Sequence, residues 1–478
     1  MTKGLQAARA ALAGRRAWLV GGAVRDHALG RPSEIADLDV VVDGDPAESA
    51  RAVARAAGGA ACFALSEEFG AWRVVARDRS WQVDVEALRG SSLEQDLSLR
   101  DFTVNAIAEP LEGGEPIDPL GGLADLAARR LRMAGPTSFA DDPLRVLRLA
   151  RVAVELDLEP VPDTLGAAVA QSGSLREVSP ERVFMELRRI IAARAAPAGI
   201  ELLGEIGATP VVLPELEALR GVEQNRYHHL DVYGHTLEVL ERVIELSAAD
   251  GRQLERAGAW MAPHASDVAA LLAEPLADGL TRGEALRWGA LLHDAAKPLT
   301  REIRRADGRV TFIGHDVRGA ELARTVLGRL RASERLRAHV AALVRHHLRA
   351  GFLVHEPQPL SRRTVFAYMR ACAPVEVDVT LLSVADRLAT RGDRAEESTE
   401  AHLRVIEGLL ADSLRWRAEG PPRPPLRGDE LAAKLAIPVG PQIGQLLLAI
   451  AEGQYAGEIS TPAQALDYAR ALLESGSI

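Results

Sequence analysis

Ala17-Trp18-Leu19-Val20-Gly21-Gly22-Ala23-Val24-Arg25-Asp26, followed by Asp37-Leu38-Asp39-Val40-Val41-Val42, decides the reading of the first part of the chain. A short apolar run ends in a double glycine and a helix start. A second apolar run then opens with two aspartates one residue apart. Side chains alternate between the faces of a strand, so Asp37 and Asp39 share one face while Leu38, Val40 and Val42 take the other. Two adjacent carboxylates suit a divalent cation. Bare amides at Gly21 and Gly22 can approach a phosphate, and Arg25 can pair with it. In a further strand, Trp81 to Leu88, the residues Trp81, Val83 and Val85 face one way and Gln82, Asp84 and Glu86 the other, which makes Asp84 the candidate third carboxylate. A bare D-x-D is more often a solvated strand edge. Asp43-Gly44-Asp45 is such a case: Gly44 reads as a turn, and Asp45-Pro46 as a helix N-cap followed by proline in the first turn.

The chain has 478 residues, 67 acidic and 57 basic, for a formal charge of −10, which fits three or four domains at ~150 residues each. With 47% hydrophobic and 26% charged residues the composition is that of a globular protein. The longest apolar runs fall short of the about 18 residues a membrane span needs, so no membrane partner is expected. Met1 to Arg16 reads as a helix without a secretory signal. Cys62 and Cys372 offer neither a disulfide framework nor a thiolate metal cluster, and the expected compartment is cytoplasmic. The acid excess argues weakly against nucleic acid. Between Thr281 and Arg349, however, arginines outnumber acids, which reads equally as a phosphate-binding face or as a solvated surface.

Up to about Ala134 strand and helix patterns alternate, with strands at Ala17 to Val20, Leu38 to Val42, Trp72 to Ala76 and Trp81 to Leu88, and a helix at Ala47 to Ala57. From Asp142 onward the periodicity is helical: Pro143 to Leu156, Pro180 to Ala196, His235 to Leu246, Arg282 to Leu292, Val317 to Leu330, Glu334 to His346, Pro374 to Thr390 and Thr399 to Leu410. Gly420 to Arg427 reads as a linker and Gly428 to Ile478 as a small helical tail.

Double glycine, Arg25 and Asp37-Leu38-Asp39 together resemble the nucleotidyltransferase head of the polymerase-β superfamily. Further motifs make the resemblance specific to the bacterial tRNA nucleotidyltransferase and poly(A) polymerase family, class II, CCA-adding type. Arg100-Asp101-Phe102-Thr103-Val104-Asn105-Ala106 matches its second motif, with Leu99 where a first arginine is usual. Asp118-Pro119-Leu120-Gly121-Gly122 with Asp125-Leu126 matches the third. Asp141-Asp142-Pro143-Leu144-Arg145-Val146-Leu147-Arg148 matches the fourth, with Asp141 replacing the usual glutamate, and Pro180-Glu181-Arg182 with Glu186 resembles the fifth. The resemblance implies Mg²⁺ held by Asp37 and Asp39 with Asp84 assisting, and nucleotide contacts from Gly21, Gly22, Arg25, Arg100, Asp101, Asn105 and Arg148. It further implies a template made of Asp142 and Arg145 that selects CTP and then ATP; three residues apart on one helix, the pair can present an acceptor and a fork of donors to a base edge. The structural alternative is a helix N-cap at Asp142 with solvated arginines behind it. Between Arg89 and Arg100 the chain has only Gly90 to Leu99, where full CCA-adding relatives carry a longer mobile loop. That shortness brings a CC-only enzyme to near parity with a CCA-adding one.

In the second half, Tyr233-Gly234-His235, Leu292-His293-Asp294-Ala295-Ala296-Lys297, His315-Asp316, His346-His347 and Asp386 follow the order of the HD phosphohydrolase superfamily, which they resemble. Imidazoles with carboxylates suit Mg²⁺, Mn²⁺, Fe or Ni²⁺ better than a structural zinc. The minimal ligand set is His235, His293, Asp294 and Asp386; His315 and His347 would permit a second ion. His228, His229, His264, His339, His355 and His402 read as structural or surface residues. Two-part proteins of this kind imply 2′,3′-cyclic phosphodiesterase, 2′-nucleotidase or phosphatase activity.

The expected architecture is α+β: a polymerase-β-like head at 1–140, an all-α neck at 141–222, an HD domain at 223–418, and a linker with a helical tail at 419–478. The expected function is addition of CCA, or only CC, to the tRNA 3′ end by a monomer or homodimer. The alternatives are a poly(A) polymerase, an HD-type phosphohydrolase with a nucleotide-binding head, and a non-enzymatic tRNA-binding module.

Overall fold

The structure, a computed structural model, describes residues 3–30, 37–66, 70–224, 229–248, 258–391 and 395–476. It divides into two units, Met1–Val212 and Leu213–Ile478.

In the first unit, β1 (Ala17–Val20), β2 (Asp37–Val42), β3 (Ala61–Ser66), β4 (Ala71–Val75), β5 (Gln82–Ala87) and β6 (Ala108–Pro110) form one sheet in the order β3-β4-β5-β2-β1-β6. β2 and β5 run parallel and the other neighbours antiparallel. The parallel register sets Asp37 opposite Gln82 and Asp39 opposite Asp84, and β1 sets Val20 opposite Asp39 on the other side.

Leu38, Val40, Val42, Val83 and Val85 bury one face of the sheet against Ala7, Ala8 and Leu12 of the α1 (Lys3–Ala11) region and Ala50 and Val53 of α3 (Pro46–Ala56). Each such side chain contributes about 1.5–3 kcal/mol, and a slip of one residue would bury the aspartates in their place. The apolar residues of β2 thus fix where Asp37 and Asp39 point. α2 (Gly22–Ala28) leaves β1 through Gly21, and α4 (Leu93–Ser98) packs Leu93 and Leu97 with Trp18, Val20 and Val41 on the opposite face. Asp45 caps α3 as its sequence suggests, accepting from the amides of Ala47 at 2.8 Å and Glu48 at 3.3 Å.

β3 and β6 carry no strand pattern in the sequence. β3 is an edge strand with Phe63 and Leu65 exposed, and β6 has three residues. α5 (Gly122–Ala127) starts where Asp118 accepts from the amides of Gly122 and Leu123. A Cβ on Gly122 would stand 2.1 Å from the Thr103 carbonyl oxygen, and buried Asp125 accepts from the Thr103 hydroxyl at 2.7 Å. The third motif is therefore a clamp on the loop Asp101–Asn105.

The helix expected from Pro143 begins later. Asp142 is extended (φ −147°, ψ 101°) and closes α6 (Ser138–Asp141), and α7 runs Arg145–Leu156. With α8 (Pro162–Gln171), α9 (Pro180–Ala192) and α10 (Ala196–Glu205) it makes a helical layer around Leu149, Val152, Leu187, Ile190 and Ile200. The expected helix to Ala196 stops at Ala192, because Pro197 is accommodated only in the first turn of a new helix.

The second unit is helical, with, among the described residues, four two-residue to three-residue strands paired as small hairpins. Its centre is the helix Arg282–Leu292, which is buried nearly all round. The helices Val232–Ala248, His315–Arg329, Glu334–His346, Glu376–Leu388 and Ala395–Glu419 belong to the same unit. The tail helices Gly428–Leu435, Pro441–Tyr455 and Pro462–Glu474 share a small core of Leu431, Leu446, Ile450 and Ile459. Among the described residues no helix is long and apolar enough to cross a membrane.

Candidate active site and candidate metal centre

A cleft of about 690 Å³ opens over the polar face of β2 and β5, lined by Gly21, Gly22, Arg25, Asp37, Asp39, Asp84, Arg100, Asp101, Asn105, Arg145 and Arg148. Asp39 is pushed up to about 6: desolvation in the cleft is the largest cause, Arg100 opposes it, and Asp84 and Glu86 add to it. Carboxylates crowded in this way are the donor set that a hard divalent cation satisfies. Asp84 is also gripped by Arg73 of β4, Nε to Oδ1 and Nη2 to Oδ2, both at 2.7 Å. Gly21 adopts φ +73°, and a Cβ there would lie 3.4 Å from Asp39 Oδ2.

The basic wall is a linked chain. Arg25 Nη1 donates to Asn105 Oδ1 at 2.6 Å, Asn105 Nδ2 donates to Asp101 Oδ1 at 3.1 Å, and Arg148 Nη2 pairs with Asp101 Oδ2 at 2.9 Å. Asp101 is 4% exposed; burial would raise its carboxyl, but Arg148 and Asn105 hold it below the usual range. It orients Arg148 and Asn105 and offers little surface to a ligand. Arg100 is oriented likewise, by Asp96, which is fully buried and also binds Arg89.

Asp142 and Arg145 are not presented together as their spacing suggests. Arg145 is buried, and its guanidinium donates to the carbonyls of Leu99 at 2.8 Å, Arg100 at 3.1 Å and Ser138 at 3.1 Å. Asp142 lies outside the cleft lining, accepts from the Leu144 amide at 3.2 Å and pairs with Arg182 at 2.9 Å. The cause is the break at Asp142, which removes the i, i+3 relation a continuous helix would supply.

In the second unit six predicted residues converge. Asp294 lies at the centre: His293 Nε2 is 3.0 Å and His235 Nε2 3.7 Å from its Oδ2, and His315 Nε2 is 3.3 Å and His347 Nε2 4.0 Å from its Oδ1. His235 Nε2 also reaches Asp386 Oδ1 at 3.0 Å. Nδ1 of His293, His315 and His347 each meets a carbonyl three residues back, Ala290, Phe312 and Val344, at 2.7–2.8 Å. A carbonyl can only accept, so each Nδ1 carries a proton and each Nε2 faces inward, where it can offer a lone pair to an ion, as metal-ligating histidines do. Burial opposes charge on His293, but Asp294 overcomes it and raises its pKa; burial and the neighbouring imidazoles push His347 down to about 4. Despite its burial, Asp294 is held well below the carboxylate range by His293 and Lys297. The donors form two groups that share Asp294, one with His235 and His293 and one with His315 and His347. The residues therefore fit one or two divalent ions. A cavity of about 420 Å³ reaches this centre.

Residues 17–132 match the poly A polymerase head domain, 157–219 the probable RNA and SrmB-binding site of polymerase A, and 232–391 the HD domain. An A-adding tRNA nucleotidyltransferase of Deinococcus radiodurans is 38% identical over 453 residues, 94% of this chain and 93% of that protein. A CC-adding tRNA nucleotidyltransferase of Thermus thermophilus is 34% identical over 455 residues, 94% of this chain and 92% of that one. The chain belongs to the tRNA nucleotidyltransferase family. A solved CCA-adding enzyme complexed with ATP, 20% identical, shares the fold with a TM-score of 0.63 over 98% of this chain and 94% of its own.

Several residues of this tRNA nucleotidyltransferase's two sites stand out only in three dimensions. Arg73 and Asp96 lie in no motif, yet they grip Asp84 and orient Arg100. Lys297 closes the HD motif and binds Asp294 at 2.7 Å and Gln224 at 2.6 Å. His402, read as structural, lines the metal-centre cavity beside Ser383 at 3.2 Å. His228 lies outside the described residues. The arginine-rich stretch is largely spent on internal pairs, Arg282 with Asp378, Arg304 with Asp307, Arg324 with Glu334, Arg329 with Glu215 and Arg345 with Asp316.

Proposed function

We propose that this enzyme lengthens the 3′ end of tRNA from CTP and ATP without a nucleic-acid template, at the cleft of the first unit. The observation that carries the reading is the pairing of Asp39 with Asp84 on parallel strands, facing a wall of guanidinium groups in one cleft. The tRNA 3′-oxygen bonds to the α-phosphorus while the bond to the β-phosphate bridging oxygen breaks and pyrophosphate leaves. Asp37 and Asp39 would hold Mg²⁺, with Asp84 assisting; the bound ions would activate the hydroxyl and neutralise the triphosphate. Arg25 and Arg100 take the phosphates, and Gly21 and Gly22 leave them room. Asp101 and Asn105 position Arg25 and Arg148. Both Arg145 and Arg148 line the cleft; what supports Arg148 as the base-side residue is that the Arg145 guanidinium is committed to backbone carbonyls. A cytoplasmic monomer or homodimer fits this reading.

Restriction to CC is supported by the segment Gly90–Leu99, which is occupied by α4 and tied to the cleft through Asp96. One assay tests both statements: purified enzyme and Mg²⁺ with tRNA lacking CCA or ending in CC, given CTP, ATP or both. Addition of two C residues without A supports the restricted form, addition of A to the CC end overturns it, and no extension of either tRNA overturns the proposal.

The second unit supports a second reading, hydrolysis of a phosphate ester such as a 2′,3′-cyclic end. Its support is the inward set of imidazole lone pairs around Asp294, which suits Mg²⁺, Mn²⁺ or Ni²⁺ and the activation of water by the ion.

A further inference from the structure

Three helices of the second unit, Arg282–Leu292, Glu334–His346 and Glu376–Leu388, deliver ligands of the metal centre at or beyond their C-terminal ends: His293 and Asp294, His347, and Asp386. Their N-terminal ends meet at a different cavity, of about 430 Å³, lined among others by Arg282, Arg335, His339, Pro374 and Arg417. At 1.5 Å per residue the two places lie roughly 15–20 Å apart. The shared geometry separates charge: carbonyl ends point at the cation site, and amide ends at the second cavity, where they favour an anion.

The side chains there agree with the helix ends. Arg282 is held by Asp378, Nε to Oδ1 at 2.9 Å, and Arg417 pairs with Glu274 at 2.6 Å. Arg335 lies on the exposed side of its helix, and among the described residues no carboxylate pairs with it. His339, one turn further along, is 8% exposed; its Nε2 makes no hydrogen bond and stands 3.8 Å from Asp378 Oδ1. Burial keeps this imidazole neutral; Asp378 works against that, and Arg282, Arg335 and Arg417 add to it. A buried polar nitrogen left without a partner costs about 1–3 kcal/mol, which a ligand bonded to it would recover.

We propose that this cavity is an anion site that binds a phosphate group between Arg335, His339 and Arg417, separate from both the nucleotide cleft and the metal centre. Inorganic phosphate, pyrophosphate released by nucleotidyl transfer, and the phosphates of a nucleotide share the required chemistry. The test is a titration of the full-length protein, stripped of metal with a chelator, with each of the three anions in separate arms. The His339 imidazole resonance, assigned by its loss in His339→Gln, reports the site alone. We expect a saturable shift in at least one arm, and the tightest arm identifies the source. Arg335→Gln should weaken that binding roughly tenfold, with melting temperature and nucleotide incorporation unchanged. A His339 signal that stays still in all three arms overturns the proposal, as does equal binding by Arg335→Gln or an equal shift from chloride at matched ionic strength.

Discussion

His315 and His347 face each other with their Nε2 atoms 3.2 Å apart, while Nδ1 of each ring is committed to a backbone carbonyl. Two lone pairs at this distance repel unless a proton or a cation lies between them. Mn²⁺ or Ni²⁺ should therefore raise the melting temperature of the enzyme, by about 2.7 kcal/mol of stability at a hundredfold excess over Kd. His347→Ala should bind less metal by elemental analysis and lose most of that gain. Incorporation of nucleotide by the first unit should be unaffected.

Asp39 is the cleft carboxylate whose pKa is pushed up, by desolvation and by Asp84 and Glu86, and Asp39→Asn should reduce incorporation by about 10³-fold or more, equivalent to at least about 4 kcal/mol of barrier. Because Asp39 is open to solvent on the polar face of β2 and packs no core, the melting temperature should hold. Incorporation within tenfold of wild type would remove Asp39 from the reaction.

Asp96 neutralises Arg89 and Arg100 from a fully buried position. Burial would raise its carboxyl, but Arg100 and Arg89 hold it down, so its stabilising effect is present above the ordinary aspartate range and lost as pH falls through its folded pKa. Asp96→Asn should cost about 3 kcal/mol in denaturant unfolding and raise KM for the nucleotide. The cost should shrink in acid, where the wild type is protonated too.

Glu376 shows the opposite sign. It is 2% exposed with Oε2 unbonded, and burial raises its pKa. Its ionisation therefore weakens the fold as pH rises through the folded value. Glu376→Gln should melt higher than wild type at neutral pH, and the two curves should converge in acid. A constant gap across pH would contradict the desolvation argument.

The alternation of β2 and β5 made the acidic face legible in the sequence, because burial of Leu38, Val40, Val83 and Val85 leaves the aspartates no other side. The candidate metal-binding residues of the second unit are legible because each falls near the end of a periodic helix. Arg73, Asp96 and the true surroundings of Arg145 were not, since each depends on a partner on another element that no local period encodes. The arrangement of Asp142 and Arg145 differs from helical spacing for a local reason: the helix does not continue across a break that Pro143 permits but does not announce.

Arg145 fastens the carbonyls of Leu99 and Arg100, and Asp96 fastens Arg89 and Arg100. The stretch between Arg89 and Arg100 is thus pinned at both margins, and one of the pins is its own Asp96, carried on α4. Length and chemistry are therefore coupled there: a residue gained or lost that moves Asp96 also moves the Arg100 guanidinium in the cleft.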